Sequence, residues 1–525
     1  MDNKLTGSFY TPENLIEYMV KYVGDRIEPH NILEPSAGDG RFVNHLNSFK
    51  CPITLVEKDE DKASDLKSHY SDTCAVHCDD FLRFSTEEEI RFDLIIGNPP
   101  YITKKKMPED QRDLSLNIIR QFELTDDLFQ NIWVPFILAS LNLLASNGTI
   151  FFVLPFEFLQ VQYAEKLREF LEKKFNIIEI TTFEDRVFAD IEQDICLVYL
   201  SNDQSVDPYI KYTTRISETN TTQTFESTIM RNKPLKKWSN CILDDTETEE
   251  LTRLANLYPK IGSFGDISPG IVTGANSFFV LPKSEIDALE VSDDVKLSII
   301  TKGSSIPPLL FFTQQDFSLL EQTNVRTRLL NLNGIKVETF SDPLKEYLKT
   351  GKEKEINDRY KCKKRGRWYD VPIIKTGSVC FFKRFHRLPK VLVNVAGVYT
   401  TDIVYNIRFK DDFDPQSFAF CFYNSLTLAL CEYNGRFYGG GVGELVPNEF
   451  KALRIPYMKI DDKTVRHLDE LFRSGTSFPQ IVDFVDSVIL CKLPSESRIL
   501  LQKIRNRYLI RRMKLYERGE KSDGE

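Results

Sequence analysis

The strongest constraint in this sequence is an alternation. From Asn31 to Leu200 the short apolar runs NILEP, ITLVE, FDLIIGNPPY, GTIFFVLP, IIEITTF and ICLVYL are separated by VNHLNSF, KASDLKSHY, FILASLNLLAS and AEKLREFLEKKF, which have helical spacing. The length and the Ile, Val and Phe content of the runs predict strands, and the intervals predict amphipathic helices. Strands alternating with helices build a parallel, doubly wound α/β sheet. Ligands of such sheets sit beyond the carboxyl ends of the strands, and here four strands end in Glu34, Glu57, Asp80 and Asn98.

After Leu200 the alternation dissolves into a Thr-, Ser- and Asn-rich stretch that runs to Met230, and a linker is expected near Asn232 to Trp238. Beyond it, strand-like pieces separated by Gly and Pro (ISPGIVTGANSFFVL, KVLVNVAGVYTTDIVYNI, GRFYGGGVGELVP) predict a mixed, mainly β region, and from Asp461 the pattern turns helical. The reading divides the chain into residues 1–235, 240–460 and 461–525. With 525 residues, 42% of them hydrophobic, and a net charge of −9, the chain buries a full core and is neither disordered nor a uniformly basic nucleic-acid coat. A polyanionic partner must therefore be met by a local patch. The ten cysteines, with Cys74 and Cys78 the one close pair, give neither a disulfide framework nor CxxC metal spacing, so no metal is expected and a reducing cytosol fits. The start lacks a basic flank followed by an apolar core, and no apolar run approaches the roughly 18 residues of a membrane span. A cytoplasmic protein, not a secreted or membrane one, is expected.

The first strand delivers Glu34, Pro35, Ser36, Ala37, Gly38, Asp39 and Gly40 into a helix that starts near Arg41. Small residues there let a ligand approach the backbone, and the helix start favours nucleotide-like groups; a plain tight turn is the alternative. Glu57, with Lys58 beside it, lies 19 residues after Gly38, close to the offset at which an acid takes ribose hydroxyls. Asp80 and Phe81 offer a carboxylate for an exocyclic amine and an aromatic face for an adenine; a helix cap and a core residue are the alternative. Together these point to an adenosine-containing ligand, and the absence of GxGxxG argues against a dinucleotide.

The sharpest signal is Asn98-Pro99-Pro100-Tyr101. Two prolines fix the backbone and remove two N–H donors, so the segment presents carbonyl oxygens without competing donors, and Asn98 adds a side-chain acceptor. Two acceptors that hold the hydrogens of an exocyclic amine pull its nitrogen toward sp3 and free the lone pair for attack. No strong base is needed first, because the proton leaves the methylated nitrogen afterward. Tyr101 supplies a flat face for a planar base.

These motifs, in the order Gly7 to Pro12 (GSFYTP), Glu34 to Gly40, Glu57, Asp80-Phe81 and Asn98 to Tyr101, followed by a long C-terminal region, resemble the gamma-group N6-adenine DNA methyltransferases of type II restriction-modification systems. The resemblance covers about the first 200 residues at the level of motifs. It implies a Rossmann-like methyltransferase sheet followed by a target-recognition domain with a helical tail. It implies S-adenosylmethionine as cofactor, with Tyr10, Thr11 and Pro12 closing over it, Glu34 to Gly40 cradling its methionine part, Glu57 at its ribose, Asp80 and Phe81 at its adenine, Phe136 flanking it, and Lys58 also in the cofactor site. Phe188 would sandwich the flipped adenine opposite Tyr101. Asn rather than Ser at the head of the tetrapeptide implies adenine N6 over cytosine N4. Ser36-Ala37-Gly38-Asp39, and Asn147-Gly148 where many relatives have Pro-Gly-Gly, depart from the pattern without removing a chemical group.

Between Arg359 and Lys390 eleven basic residues face one acid, Asp370. Lys363, Lys364, Arg365, Arg367, Lys383, Arg384 and Arg387, interleaved with Trp368, Tyr369, Phe382 and Phe385, are the expected grip on DNA phosphates; a solvated basic loop is the alternative. Lys503 to Lys514 is a second basic face, which a solvated or packed terminal helix would explain equally. Gly270 to Phe279 and Gly435 to Pro447 resemble segments of the target-recognition region. No PD-(D/E)xK-like or HNH-like constellation marks a fused nuclease. The expectation is a site-specific adenine-N6 methyltransferase, monomeric on double-stranded DNA and paired with a cognate restriction endonuclease. An amine methyltransferase acting on RNA or protein glutamine, and a non-catalytic DNA-specificity subunit, are the alternatives.

Overall fold

The computed structural model describes residues 10–183, 194–203, 205–217, 224–232, 235–438 and 440–522. The chain divides into two compact units, one comprising Met1–Thr248 with Tyr438–Gly440 and Lys514–Glu525, the other Glu249–Phe437 with Gly441–Met513.

In the first unit, strands β1 (Ile32–Glu34), β2 (Ile53–Glu57), β3 (Cys74–Cys78), β4 (Phe92–Gly97), β5 (Leu144–Pro155), β6 (Ile177–Phe183), β7 (Ile195–Ser201), β8 (Tyr209–Ser217) and β9 (Thr224–Arg231) form one nine-stranded sheet in the order β3-β2-β1-β4-β5-β7-β6-β8-β9. The strands β3, β2, β1, β4 and β5 are parallel, as the alternation with helices predicts. Helix α1 (Glu13–Gly24) buries Leu15, Ile16, Met19, Val20 and Val23, one face of a 3.6-residue period, in a core shared with Ile53, Leu55 and the next helix, α2 (Arg41–Leu46). Each such aliphatic side chain contributes about 1.5–3 kcal/mol when fully buried. Helices α3 (Glu60–Tyr70), α4 (Phe81–Glu87), α5 (Glu109–Gln121), α6 (Trp133–Leu143) and α7 (Glu165–Lys174) complete the layers. Every residue of α6 from Trp133 to Ser140 is buried, which explains its continuous apolar run.

Two features depart from the sequence reading. Strand β7 runs antiparallel between β5 and β6, so the sheet is not parallel throughout. The interval between Phe183 and Ile195 is too short for the dozen or more residues of a crossover, and an antiparallel return is what remains. The Thr-rich stretch expected to lead into a linker instead holds β8, parallel to β6, and β9, antiparallel to β8. Threonine is β-branched and suits a pleated strand, so polar composition hid the strand signal. At Asn147-Gly148 the β4–β5 register shifts, and a Cβ on Gly148 would stand 2.8 Å from the Leu144 side chain and 2.9 Å from the Phe92 carbonyl oxygen. Only glycine fits there.

The second unit is mixed, with more helix than the expected mainly β region. Its five-stranded sheet runs in the order Gly265–Pro269, Val404–Phe409, Val379–Phe382, Val391–Asn394, Phe311–Phe312. Helices such as Asp342–Glu353, Pro415–Phe422 and Ser425–Asn434 separate its short strands. From Asp461 the chain is helical as expected, in Asp462–Arg473, Phe478–Ile489 and Ser495–Ser522. All ten cysteines are free thiols. No described helix is long and apolar enough to cross a membrane.

Candidate active site

The carboxyl ends of β1, β2 and β4, the helix start after β3 and the chain before α1 open on one cavity of about 170 Å³. Its wall includes Tyr10, Thr11, Glu34, Pro35, Ser36, Ala37, Gly38, Glu57, Lys58, Asp80, Phe81, Asn98, Pro99, Pro100, Tyr101 and Phe136. Asp39 lines the cavity as well, and Pro12 and Gly40 are the exceptions among the described residues expected there; Gly40 precedes α2, while Pro12 precedes α1. It caps α1, its carbonyl accepting from the amides of Leu15 and Ile16. Phe188 lies outside the described residues.

The loop after β1 turns through Gly38 and Gly40, both in the left-handed region at φ of 59° and 79°. A Cβ on Gly40 would also stand 2.7 Å from the Leu66 side chain, so the close seating of α2 on α3 demands glycine as much as the dihedral does. The amide of Gly38 donates to one oxygen of Glu57 (2.8 Å) and the amide of Asp59 to the other (2.9 Å). Each carboxylate oxygen accepts two hydrogen bonds, so Glu57 keeps one acceptor site on each oxygen, a match for two adjacent hydroxyls.

Glu34 is 1% exposed, and its Oε2 has no hydrogen-bond partner among the described residues. Burial, then the nearby Asp39 and Glu57 carboxylates, push its carboxyl well above the usual range. A buried acid with an unanswered oxygen is a receptor for a cation.

Asp80 is the cap of α4, the alternative reading of this residue, and its second oxygen is held by two side chains. Its Oδ1 caps α4 by accepting from the Leu82 amide (2.9 Å), and its Oδ2 accepts from Lys58 Nζ (2.8 Å) and Gln111 Nε2 (2.9 Å). One acceptor site is left, on Oδ1. Phe81 is buried with its ring centroid 4.9 Å from that of Phe136, so the two aromatics form one wall. Gln111 is one of the lining residues that the sequence reading missed, with Lys62, Asp79 and Ile132 among the others. It sits with Ser115, Ile118 and Ile119 on the buried face of α5, and a glutamine at that helical spacing from two isoleucines was the available signal.

The Asn98 amide is held at both ends. Its Nδ2 donates to Thr11 Oγ1 (3.2 Å), and its Oδ1 faces the Tyr101 hydroxyl (2.9 Å). That hydroxyl also faces the Val153 carbonyl (3.1 Å), and its single proton serves one acceptor at a time. Burial holds the Tyr101 phenol well above its usual range, so it stays protonated. The expectation of carbonyls without competing donors holds for the backbone amides but not for side chains, because Ser36 Oγ donates to the Asn98 carbonyl (3.0 Å). The cavity thus collects receptors for a cation, a diol and an amine beside an oriented amide.

The basic stretch of the second unit is not one exposed surface. Arg365 donates to the Thr273 (2.6 Å), Val272 and Trp368 carbonyls, and burial pushes its guanidinium below its usual range. Arg367 makes a two-pronged pair with Asp370 and donates to the Ile335 and Leu332 carbonyls. The donors of both arginines tie loops of their own unit. The interleaved aromatics are likewise packing groups: Trp368 and Tyr369 lie against the Phe278 and Phe340 rings, and Phe382 and Phe385 are buried. Lys363, Lys364, Arg384 and Arg387 are exposed and Lys383 half-buried, with Lys364 bonded to the Tyr360 hydroxyl (2.6 Å) and Arg384 paired with Glu444 (3.1 Å). In the terminal basic helix Arg512 is buried against Glu432 (2.6 Å) and Arg511 is buried near the Phe437 ring, while Lys503 is exposed. Gly274 in the Gly270 to Phe279 segment has φ of 77° and abuts Lys361, and Gly439 lies outside the described residues.

Residues 39–188 match the family described as Eco57I restriction-modification methylase, and residues 235–490 match the C-terminal domain of the type II methyltransferase M.Eco57I. The type II methyltransferase M.AccI of Acinetobacter calcoaceticus is 23% identical over 529 residues, covering 93% of this chain and 94% of its own. M.HincII of Haemophilus influenzae is 28% identical over 204 residues, 38% of each chain. Among solved structures, the type IIL restriction-modification enzyme MmeI, determined in complex with DNA, has the same fold at a TM-score of 0.60 and 11% identity, covering 95% of this chain and 75% of that one. Two matches that between them take in both halves of the sequence, and a relative aligned nearly end to end, mean that the chain belongs to the type II methyltransferases of restriction-modification systems: it is a DNA methyltransferase built on a Rossmann-like sheet with a C-terminal domain.

Proposed function

We propose that the protein uses S-adenosylmethionine to methylate the N6 amine of an adenine extruded from double-stranded DNA, as the gamma-group enzyme of a restriction-modification system. The observation that carries this reading is the Asn98 amide, oriented by Thr11 and Tyr101 at the wall of a cavity whose remaining acceptors complement that cofactor. The fit rests on the acceptors left open: Glu34 Oε2 suits the α-ammonium of the methionine part, Glu57 the ribose diol, and the last site on Asp80 the adenine amine. When bound, the cofactor supplies a methyl group activated by its sulfonium.

The protein's own groups do the rest. Asn98 and the carbonyls of the proline pair accept the hydrogens of the substrate amine and draw its lone pair out of conjugation with the ring. Thr11 keeps the amide from rotating, and Tyr101, whose hydroxyl donates to the Asn98 amide oxygen in this reading, offers its ring as a face for the base. The amine loses its proton after it has gained the methyl group, so no side chain must act as a strong base. Phe188 is the second face of the sandwich in this reading. The second unit recognises the sequence, with Lys363, Lys364, Lys383, Arg384 and Arg387 toward phosphates. The enzyme works as a monomer in the cytoplasm beside a cognate endonuclease.

The test is Asn98→Ala. Methyl transfer to DNA is expected to fall by at least about 100-fold, the scale of losing one oriented polar partner of a transition state. Cofactor affinity by calorimetry is expected to stay within a few-fold. Transfer that survives the substitution would remove the role given to Asn98.

A further inference from the structure

Three consecutive lysines follow the catalytic tetrapeptide almost at once: Lys104, Lys105 and Lys106 form a short turn three to five residues after Tyr101. Tyr101 and Ile102 line the cavity, and a chain advances at most about 3.3–3.6 Å per residue, so the turn begins within about 11 Å of the wall.

The turn is built rather than loose. Ile132, itself on the cavity wall, donates its amide to the Ile102 carbonyl (2.9 Å), Thr103 bridges to Asn131, and the Lys104 amide donates to the Gln130 carbonyl (3.0 Å). The Lys106 amide closes the turn on the Thr103 carbonyl (2.9 Å), and Met107 is buried behind it. Lys104 Nζ rests 5.0 Å from the Phe129 ring centroid, leaving Lys105 and Lys106 as the exposed pair. Neither of their ammonium groups makes an ion pair or hydrogen bond with a described residue. The acids that follow, Glu109 and Asp110, occupy the first turn of α5, where the helix dipole favours them without a lysine partner. A pair of exposed cations beside the cavity, without a partner among the described residues and in a chain of net charge −9, has polyanion as its natural complement.

We infer that Lys105 and Lys106 hold the phosphates flanking the extruded nucleotide, fixing the strand from which the base enters the cavity. The inference rests on the proposed reaction and adds to it a phosphate clamp in the catalytic unit itself. Its cost in salt is calculable: each neutralised phosphate contributes about 0.9 to the slope of log affinity against log salt concentration on duplex DNA.

The experiment compares wild-type protein with Lys105→Gln/Lys106→Gln and Lys105→Arg/Lys106→Arg, on a duplex carrying the methylated site mapped by sequencing genomic DNA. The Gln pair is expected to lower the magnitude of the salt slope by about 2 and to raise KM for DNA, and the Arg pair is expected to restore both. Thermal stability and S-adenosylmethionine affinity should not change, because neither side chain has a partner to lose. An unchanged slope in a Gln pair that still binds cofactor overturns the clamp. A wild-type protein that methylates no DNA overturns instead the reading on which it rests.

Discussion

Replacing Glu34 with glutamine should make the free protein more stable and the enzyme worse at holding its cofactor. The carboxyl is 1% exposed, one oxygen is unpartnered, and its folded-state pKa is raised by burial and by the Asp39 and Glu57 charges. Between the unfolded and the raised folded pKa the native chain holds a proton that the unfolded chain has lost, so stability falls as pH rises, by up to about 1.4 kcal/mol per pH unit of that window. Glu34→Gln removes this loss: the variant should match the wild type near pH 4 and exceed it in denaturation midpoint at pH 7 to 8. Binding should move the other way. A charge-assisted hydrogen bond to a buried partner is worth about 1.5–3 kcal/mol, so the dissociation constant for S-adenosylmethionine should rise about 10- to 150-fold. Calorimetry in two buffers of different ionisation enthalpy checks the cause: wild-type protein should release part of a proton on binding, the variant none from this site. A variant that binds as tightly as the wild type, or one less stable than it at pH 8, would refute the assignment.

Other outcomes follow from the same geometry. Gln111→Leu takes one of two donors from Asp80 Oδ2 and should weaken cofactor binding by roughly 1 kcal/mol, about fivefold, with the fold intact by circular dichroism. Arg365→Ala and Arg367→Ala should each lower the stability of the protein by about 1–3 kcal/mol in urea titrations and leave the salt slope of DNA binding unchanged, because their guanidinium groups serve carbonyls of the protein. Lys390 donates to the Gly303 and Ile306 carbonyls, and burial lowers its pKa to about 8. The unfolded chain therefore binds the extra proton between pH 8 and the ordinary lysine range, and stability from this group rises with pH there. Relative to Lys390→Met, the wild type should gain up to about 3 kcal/mol between pH 7 and 10 by chemical denaturation.

The parts of this molecule that could be read in advance are those where side-chain type and spacing decide the outcome. Isoleucine-rich runs ended in Glu34, Glu57 and Asn98 at one sheet edge because β-branched residues and 3.6-residue periods dictate strands and helices locally. Strand β8 escaped because Tyr209–Ser217 alternates through Lys, Thr and Arg, a composition shared with linkers, and became a strand by pairing with Ile177–Phe183, far along the chain. At Asp80 the helix-cap reading is what the fold realises, and the contacts of its other oxygen with Lys58 and Gln111 could not be read from the sequence because they come from distant elements. Arg365 and Arg367 mark the limit of charge counting. A guanidinium satisfies a carbonyl of its own chain as well as a phosphate, and only the fold decides which it meets.

The most direct measurement is transfer of a labelled methyl group from S-adenosylmethionine to unmethylated bacterial genomic DNA, followed by digestion to nucleosides and mass spectrometry. Label in N6-methyladenine is the predicted result. Label in a cytosine, or no label from protein that calorimetry shows to bind the cofactor, would contradict the account.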